Sequence, residues 1–75
     1  MISYEEALKK AKSVKPGIDN CAEYENGFVF GCYADGDTIG KGPCVILKKD
    51  GRAVTMPYFL TRCDPGECLR EFDLD

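Results

Sequence analysis

The sequence predicts a small α+β domain, with one N-terminal helix packed on an antiparallel sheet of about four strands built from two hairpins. Three observations carry this reading. A capped amphipathic stretch opens the chain, Asn26-Gly27 separates two further segments, and residues 43–57, PCVILKKDGRAVTMP, set Asp50-Gly51 between two apolar runs. Asn-Gly or Asp-Gly at such a place is a strong hairpin signal, because Gly takes positive φ without steric cost. A helix ahead of two hairpins closes most simply as two layers around one core. The 75 residues make a single domain, and a chain of this size buries only ~60% of the surface it exposes when unfolded.

Ser3-Tyr4-Glu5-Glu6 reads as a capping box. Ser3 accepts from the Glu6 amide, Glu6 reaches back to the Ser3 amide, and Ile2 stands at the staple position. Tyr4, Ala7, Leu8, Ala11 and Val14 recur at helical spacing as one apolar stripe. Lys9, Lys10, Lys12 and Lys15 fall mostly opposite and toward the C-terminal end, where they complement the helix dipole. Pro16-Gly17 ends the helix.

The first hairpin is placed by asking which register segregates polarity. A two-residue Asn26-Gly27 loop sets Glu25 opposite Phe28 and Glu23 opposite Phe30, which a half-buried sheet disfavours. A three-residue Glu25-Asn26-Gly27 loop with Gly27 left-handed pairs Tyr24 with Phe28 and Ala22 with Phe30. The three-residue loop is the expectation, with the helix on the face of Ala22, Tyr24, Phe28, Phe30 and Cys32, and with Cys21, Glu23 and Val29 on the other. In the second hairpin, a two-residue Asp50-Gly51 turn pairs Leu47 with Val54 and Val45 with Met56. A three-residue turn groups Cys44, Ile46, Val54 and Met56 instead, so this register stays open. Residues 34–42, ADGDTIGKG, form the longest irregular connection. Beyond Pro57, Tyr58, Phe59 and Leu60 cover the sheet, Asp64-Pro65-Gly66 turns, and residues 68–72 form a short strand or a helical turn. The expected core is Ala7, Leu8, Ala11, Ala22, Tyr24, Phe28, Phe30, Cys32, Val45, Leu47, Val54 and Met56.

Composition narrows the function classes. A hydrophobic fraction of 44% with four Phe and four Tyr supports one compact core. The net charge is −3, and no Lys/Arg run exceeds two residues. This argues against binding a phosphate backbone and suits a partner with a basic face. The N-terminal stretch lacks an apolar signal-peptide core, and no run approaches the ~20 apolar residues of a membrane span. The expected location is cytoplasmic, with no membrane and no nucleic-acid partner. Cysteines 21, 32, 44, 63 and 68 then read as free thiols, and their odd number leaves one unpaired in any full disulfide scheme.

The chain has no His, so the commonest general base and the usual partner of a Ser or Cys nucleophile are missing. Glu23 and Glu25 alternate on one strand face and read as solvated acids rather than a catalytic pair. Cys63 and Cys68 make a C-x4-C spacing across a turn, with no second knuckle beside it for zinc. Asp35-Gly-Asp37-Thr-Ile-Gly40 opens like a calcium loop but places Ile39 and Ile46 where oxygen ligands are required. No cofactor is expected. Tyr33 and Tyr58 read as protein-contact residues, since base stacking needs a positive field around it.

The order of an ISYEEALKKA helix, ID-x-C-x-EYENGFVFGCY, a Gly/Asp loop and PCVILKKDGRAVTMP resembles the small bacterial proteins grouped as YrhB-like or immunity protein 35. The match covers about residues 1–57. More loosely, the chain is similar to PepSY-type half-domains, which share a helix and a hairpin with an xDGxxV turn. The first resemblance implies a non-enzymatic protein that binds and blocks a toxin domain, and it carries no functional residues over. The residues themselves place the contact at Glu23, Glu25, Asp35 and Asp37, facing a basic surface such as a nuclease toxin presents. The alternative is a thiol-based redox or zinc-binding protein using Cys63 and Cys68.

Overall fold

Two short segments, GFVFG and CVIL, have no charged residue at any position, and the architecture is arranged around them. The structure, a computed structural model, describes residues 1–31 and 43–74. Helix α1 (Tyr4–Val14) precedes strands β1 (Asn20–Tyr24), β2 (Gly27–Gly31), β3 (Cys44–Leu47) and β4 (Ala53–Thr55), then helix α2 (Met56–Arg62) and strand β5 (Cys68–Asp73). The strands form one antiparallel sheet in the order β4-β3-β2-β1-β5. The α+β class is as expected. Among the described residues the sheet has five strands rather than about four, because the tail, weighed as a short strand or a helical turn at 68–72, forms a strand beside β1.

Ser3 caps α1 as its sequence predicts, its hydroxyl oxygen accepting from the Glu6 amide at 3.2 Å. Ala7 and Ala11 are buried, and Tyr4 and Leu8 pack beside them. Val14 is exposed, so the apolar stripe stops a turn earlier than its spacing suggests. Ile18 is buried with that cluster instead, after the Pro16-Gly17 reversal.

Both hairpin registers differ from those expected. β1 and β2 pair Cys21 with Phe30 and Glu23 with Phe28, which leaves Glu25-Asn26 as the turn. Cys21, Glu23, Phe28 and Phe30 therefore share the α1 face, while Ala22, Tyr24 and Val29 lie on the opposite one. β3 and β4 pair Val45 with Val54 and Ile46 with Ala53. Their connection is longer than either option weighed: the Leu47 amide donates to Arg52 O at 2.9 Å and the Gly51 amide to Leu47 O at 2.8 Å. Gly51 holds a φ of 75° in that loop, the conformation for which Asp-Gly was read.

The physical reason for both misplacements is the same. Polarity segregation assumes one dry face and one wet face, but β2 and β3 are buried on both. Ala7, Ala11 and Ile18 meet Phe28, Phe30, Cys44 and Ile46 on one side. Phe59 of α2 meets Val29, Val45 and Leu47 on the other. Ile18, Cys21, Val29, Cys44, Ile46 and Phe59 thus join the core, whereas Leu8, Ala22, Tyr24, Val54 and Met56 are only partly buried. Cys32 lies outside the described residues.

Met56 ends no strand. It opens α2, with the Thr55 hydroxyl accepting from the Tyr58 amide at 3.3 Å and Pro57 in the first turn. Proline costs nothing there, since its missing N–H would be unpaired anyway. Of the three residues expected to cover the sheet, Phe59 does so fully, while Tyr58 and Leu60 are exposed.

Gly27 has no positive φ, contrary to expectation. It is a strand residue, and a Cβ there would lie 2.9 Å from two carbons of the Phe59 ring. The glycine lets α2 sit down on the sheet. Gly27→Ala is expected to cost about 1–3 kcal/mol in chemical denaturation, the range for overpacking, and much less in a Phe59→Leu background. Equal costs in both backgrounds would show that the Phe59 ring does not set the constraint.

Candidate functional site

Of the two flagged acids among the described residues, Glu23 lies in the sheet. Its cross-strand partner is Phe28, so its carboxylate emerges on the aromatic face beneath α1. Two cations meet it there. Lys48, from the β3–β4 connection, donates to Oε2 at 2.8 Å, and Arg70 Nε, from β5, donates to Oε1 at 2.7 Å. Both cations rest on aromatic rings, Lys48 Nζ 4.9 Å from the centroid of Phe28 and the Arg70 guanidinium 4.8 Å from that of Phe72. The ring of Tyr4 ties the group to α1 through edge contacts with Phe28 at 5.8 Å and Phe72 at 5.5 Å. Hydrogen bonds from Lys48 and then Arg70 hold the Glu23 carboxyl below the usual range. This is an ion-paired clamp across three elements, and it engages both oxygens of the Glu23 carboxylate.

Glu25 does not share a face with Glu23. It is exposed in the β1–β2 turn, where its amide donates to Glu67 O at 3.1 Å. The acidic strand face expected from alternation is therefore not formed. Asp35, Asp37 and the whole of residues 34–42 lie outside the described residues. Asn26, beside Glu25, binds neighbouring segments together: its amide donates to Pro65 O, its side chain to Asp64 O, and its carbonyl accepts from Lys48.

Concavities open at two places among the described residues. One, of about 350 Å³, lies at the turn end of the sheet and is lined by Met1, Leu47, Lys49, Arg62, Cys63 and Asp64 among others. The other, of about 440 Å³, opens over β1 and β5 and is lined by Asn20, Cys21, Ala22, Glu71, Phe72 and Asp73. It borders the strand that carries exposed Leu69. The acids of this region were legible in the sequence, but nothing local shows that β5 runs beside β1.

The four described thiols divide into two kinds. Cys21 is buried and its pKa is pushed up to about 12, first by desolvation and then by the charge of Glu23. Burial also raises Cys44. Cys63 is half-buried at the end of α2, and Cys68 is exposed at the start of β5; both are free thiols. Among the described residues no three or more Cys, Asp or Glu side chains come together as a metal site would need. No helix among them is long and apolar enough to cross a membrane. The chain matches no protein-family model, no curated protein and no solved structure.

The lowered Glu23 pKa fixes the sign of a pH effect. The stability it brings is present above the unstructured value of 4.5 and is lost as pH falls through the folded value beneath it. Glu23→Gln should therefore lower the melting temperature at pH 7 and shrink the loss seen below about pH 4.5 in acid titrations followed by circular dichroism. An unchanged acid limb would remove the clamp from the account.

The thiol classes are separable by peptide-mapped alkylation at pH 7.5. Cys68 and Cys63 should label in the native protein, and Cys21 and Cys44 only when denaturant is added, since burial keeps them as thiols. Native labelling of Cys21 as fast as Cys68 would contradict the fold at β1.

Proposed function

We propose that this chain is a non-enzymatic protein-binding module, and specifically a neutraliser of a toxin domain, as its resemblance to YrhB-like and immunity proteins implies. The observation that carries the reading is the surface formed by β5 and the concavity beside it. Residues 64–75 hold Asp64, Glu67, Glu71, Asp73 and Asp75 against one base, Arg70. Arg70 is engaged by Glu23, so the acids of this stretch set the sign of the local field. The concavity is open to solvent, a form suited to another protein's surface rather than to enclosing a small substrate.

The partner this surface fits has a basic face. Nuclease toxins present one because they must hold phosphates, and an acidic inhibitor can occupy it by charge complementarity. The contact set shifts accordingly. Glu67 and Glu71 replace Glu23, whose charge is spent inside the fold, and Glu25 stands at the rim beside the 64–67 turn.

Capture of a partner from the native host, followed by association kinetics across ionic strength, tests the reading. Association should slow steeply with salt, and the pair Glu67→Lys and Glu71→Lys should slow it by roughly tenfold or more at low salt. A partner whose association ignores both salt and these substitutions would overturn the electrostatic part. Glu23→Lys is unsuited to this test because it breaks the clamp.

A further inference from the structure

The two edges of the sheet are built differently. β4 has three residues and passes directly into α2, with Pro57 in the first helical turn, so that edge is short and blunted. β5 has six residues, contains neither proline nor lysine, and exposes all of them except Phe72. It lacks two of the common devices that keep an edge from pairing with another chain.

The phase of the β1–β5 ladder shows which backbone groups that edge offers. The Leu74 amide donates to Asp19 O at 2.7 Å, so the bonded positions continue through Phe72 and Arg70. Alternation then turns the N–H and C=O of Glu71 away from β1. Residues 70–73 keep regular register, and the one irregularity lies beyond them, between Glu23 and Tyr24. Exposed Leu69 adds an apolar contact beside this stretch.

We propose that the outer edge of β5 receives an extended, basic segment of a protein partner as an added strand. This inference rests on the binding-module reading and specifies how the module binds. Main-chain hydrogen bonds through Glu71 supply affinity, and Lys or Arg opposite Glu71 supplies a cross-strand ion pair. The flanking carboxylate of Glu67 extends the preference for a basic strand.

A second copy of this chain fits the same edge poorly. Directly opposed residues in an antiparallel pair share a face, so a two-fold axis must fall on one residue position. An axis at Glu71 sets carboxylate against carboxylate, and one at Arg70 sets guanidinium against guanidinium. An axis at Phe72 opposes Glu71 and Asp73. Each register places like charges directly across the seam, which destabilises it.

The probe is an acetylated, amidated decapeptide of alternating Lys and Thr, titrated into the isotope-labelled protein. Hydrogen exchange at the Glu71 amide is expected to slow at least tenfold on saturation. A peptide N-methylated at alternate residues, and one with Glu in place of Lys, should have no such effect. Glu71→Pro removes the outward N–H without touching the β1 ladder, and on this variant the peptide should no longer shift the amide resonances of Arg70 and Phe72. Glu71→Lys should weaken the basic peptide and admit the acidic one. Unchanged exchange at saturation, or equal binding of the N-methylated peptide, would overturn the added strand. Protection that rises with protein concentration alone would assign the edge to a second copy instead. If Glu71→Pro fails to fold in circular dichroism, the N-methylated peptide still decides. A natural partner that binds wild type and folded Glu71→Pro equally would leave the module reading intact and remove this edge from it.

Discussion

The central pair of strands must be kept dry on both sides, and the rest of the molecule answers to that demand. Every residue of β2 and β3 is buried, with Phe30, Val45 and Ile46 fully enclosed. Side chains of this size contribute about 1.5–3 kcal/mol each when fully buried, so neither face can be left to water in a domain this small. α1 answers on one face with small residues, Ala7 and Ala11, that let the helix approach closely. α2 answers on the other, and a helix of seven residues cannot stand alone. It persists because Thr55 caps it, Phe59 anchors it, and Gly27 leaves room for the ring.

A carboxylate placed in this setting needs compensation. Glu23 sits among Tyr4, Phe28 and Phe72, and its two oxygens are taken by two different cations. Such a group adds less to total stability than its short distances imply, because Lys48 and Glu23 lose hydration to form it while the more than half-exposed Arg70 is screened by solvent. Its stronger effect is on register. A one-residue slip of β1 against its neighbours would carry Glu23 to the opposite face and strand Lys48 and Arg70 over aromatic rings.

How far the sequence disclosed this depends on the range of each interaction. The first helix was legible because its cap, stripe and stop are all local. Asn26 and Gly27 were flagged as turn residues, yet Asn26 links the turn to residues 64–65 and Gly27 accommodates a ring from α2. Both roles depend on residues more than 30 positions away, whereas turn rules reach only about four residues. Thr55-Met56-Pro57 did carry a readable helix start, a capping residue and an early proline, masked by the strand-like run before it. Glu23 was singled out as an acid, but its partners lie 25 and 47 positions along the chain. Pattern alone could name the carboxylate and not what neutralises it.

The docking of β5 against β1 has a chemical consequence. β1 to β4 join by neighbour-to-neighbour pairing, but Asn20 meets Asp73 about fifty positions later, a non-local contact that is slow to form. Cys21 lies directly across from Phe72 in that seam. Whenever β5 lifts away, the most deeply buried of the described thiols becomes a thiol at a bare strand edge. Its resistance to oxidants is then a matter of how seldom the seam opens, and it is measured in time rather than in burial.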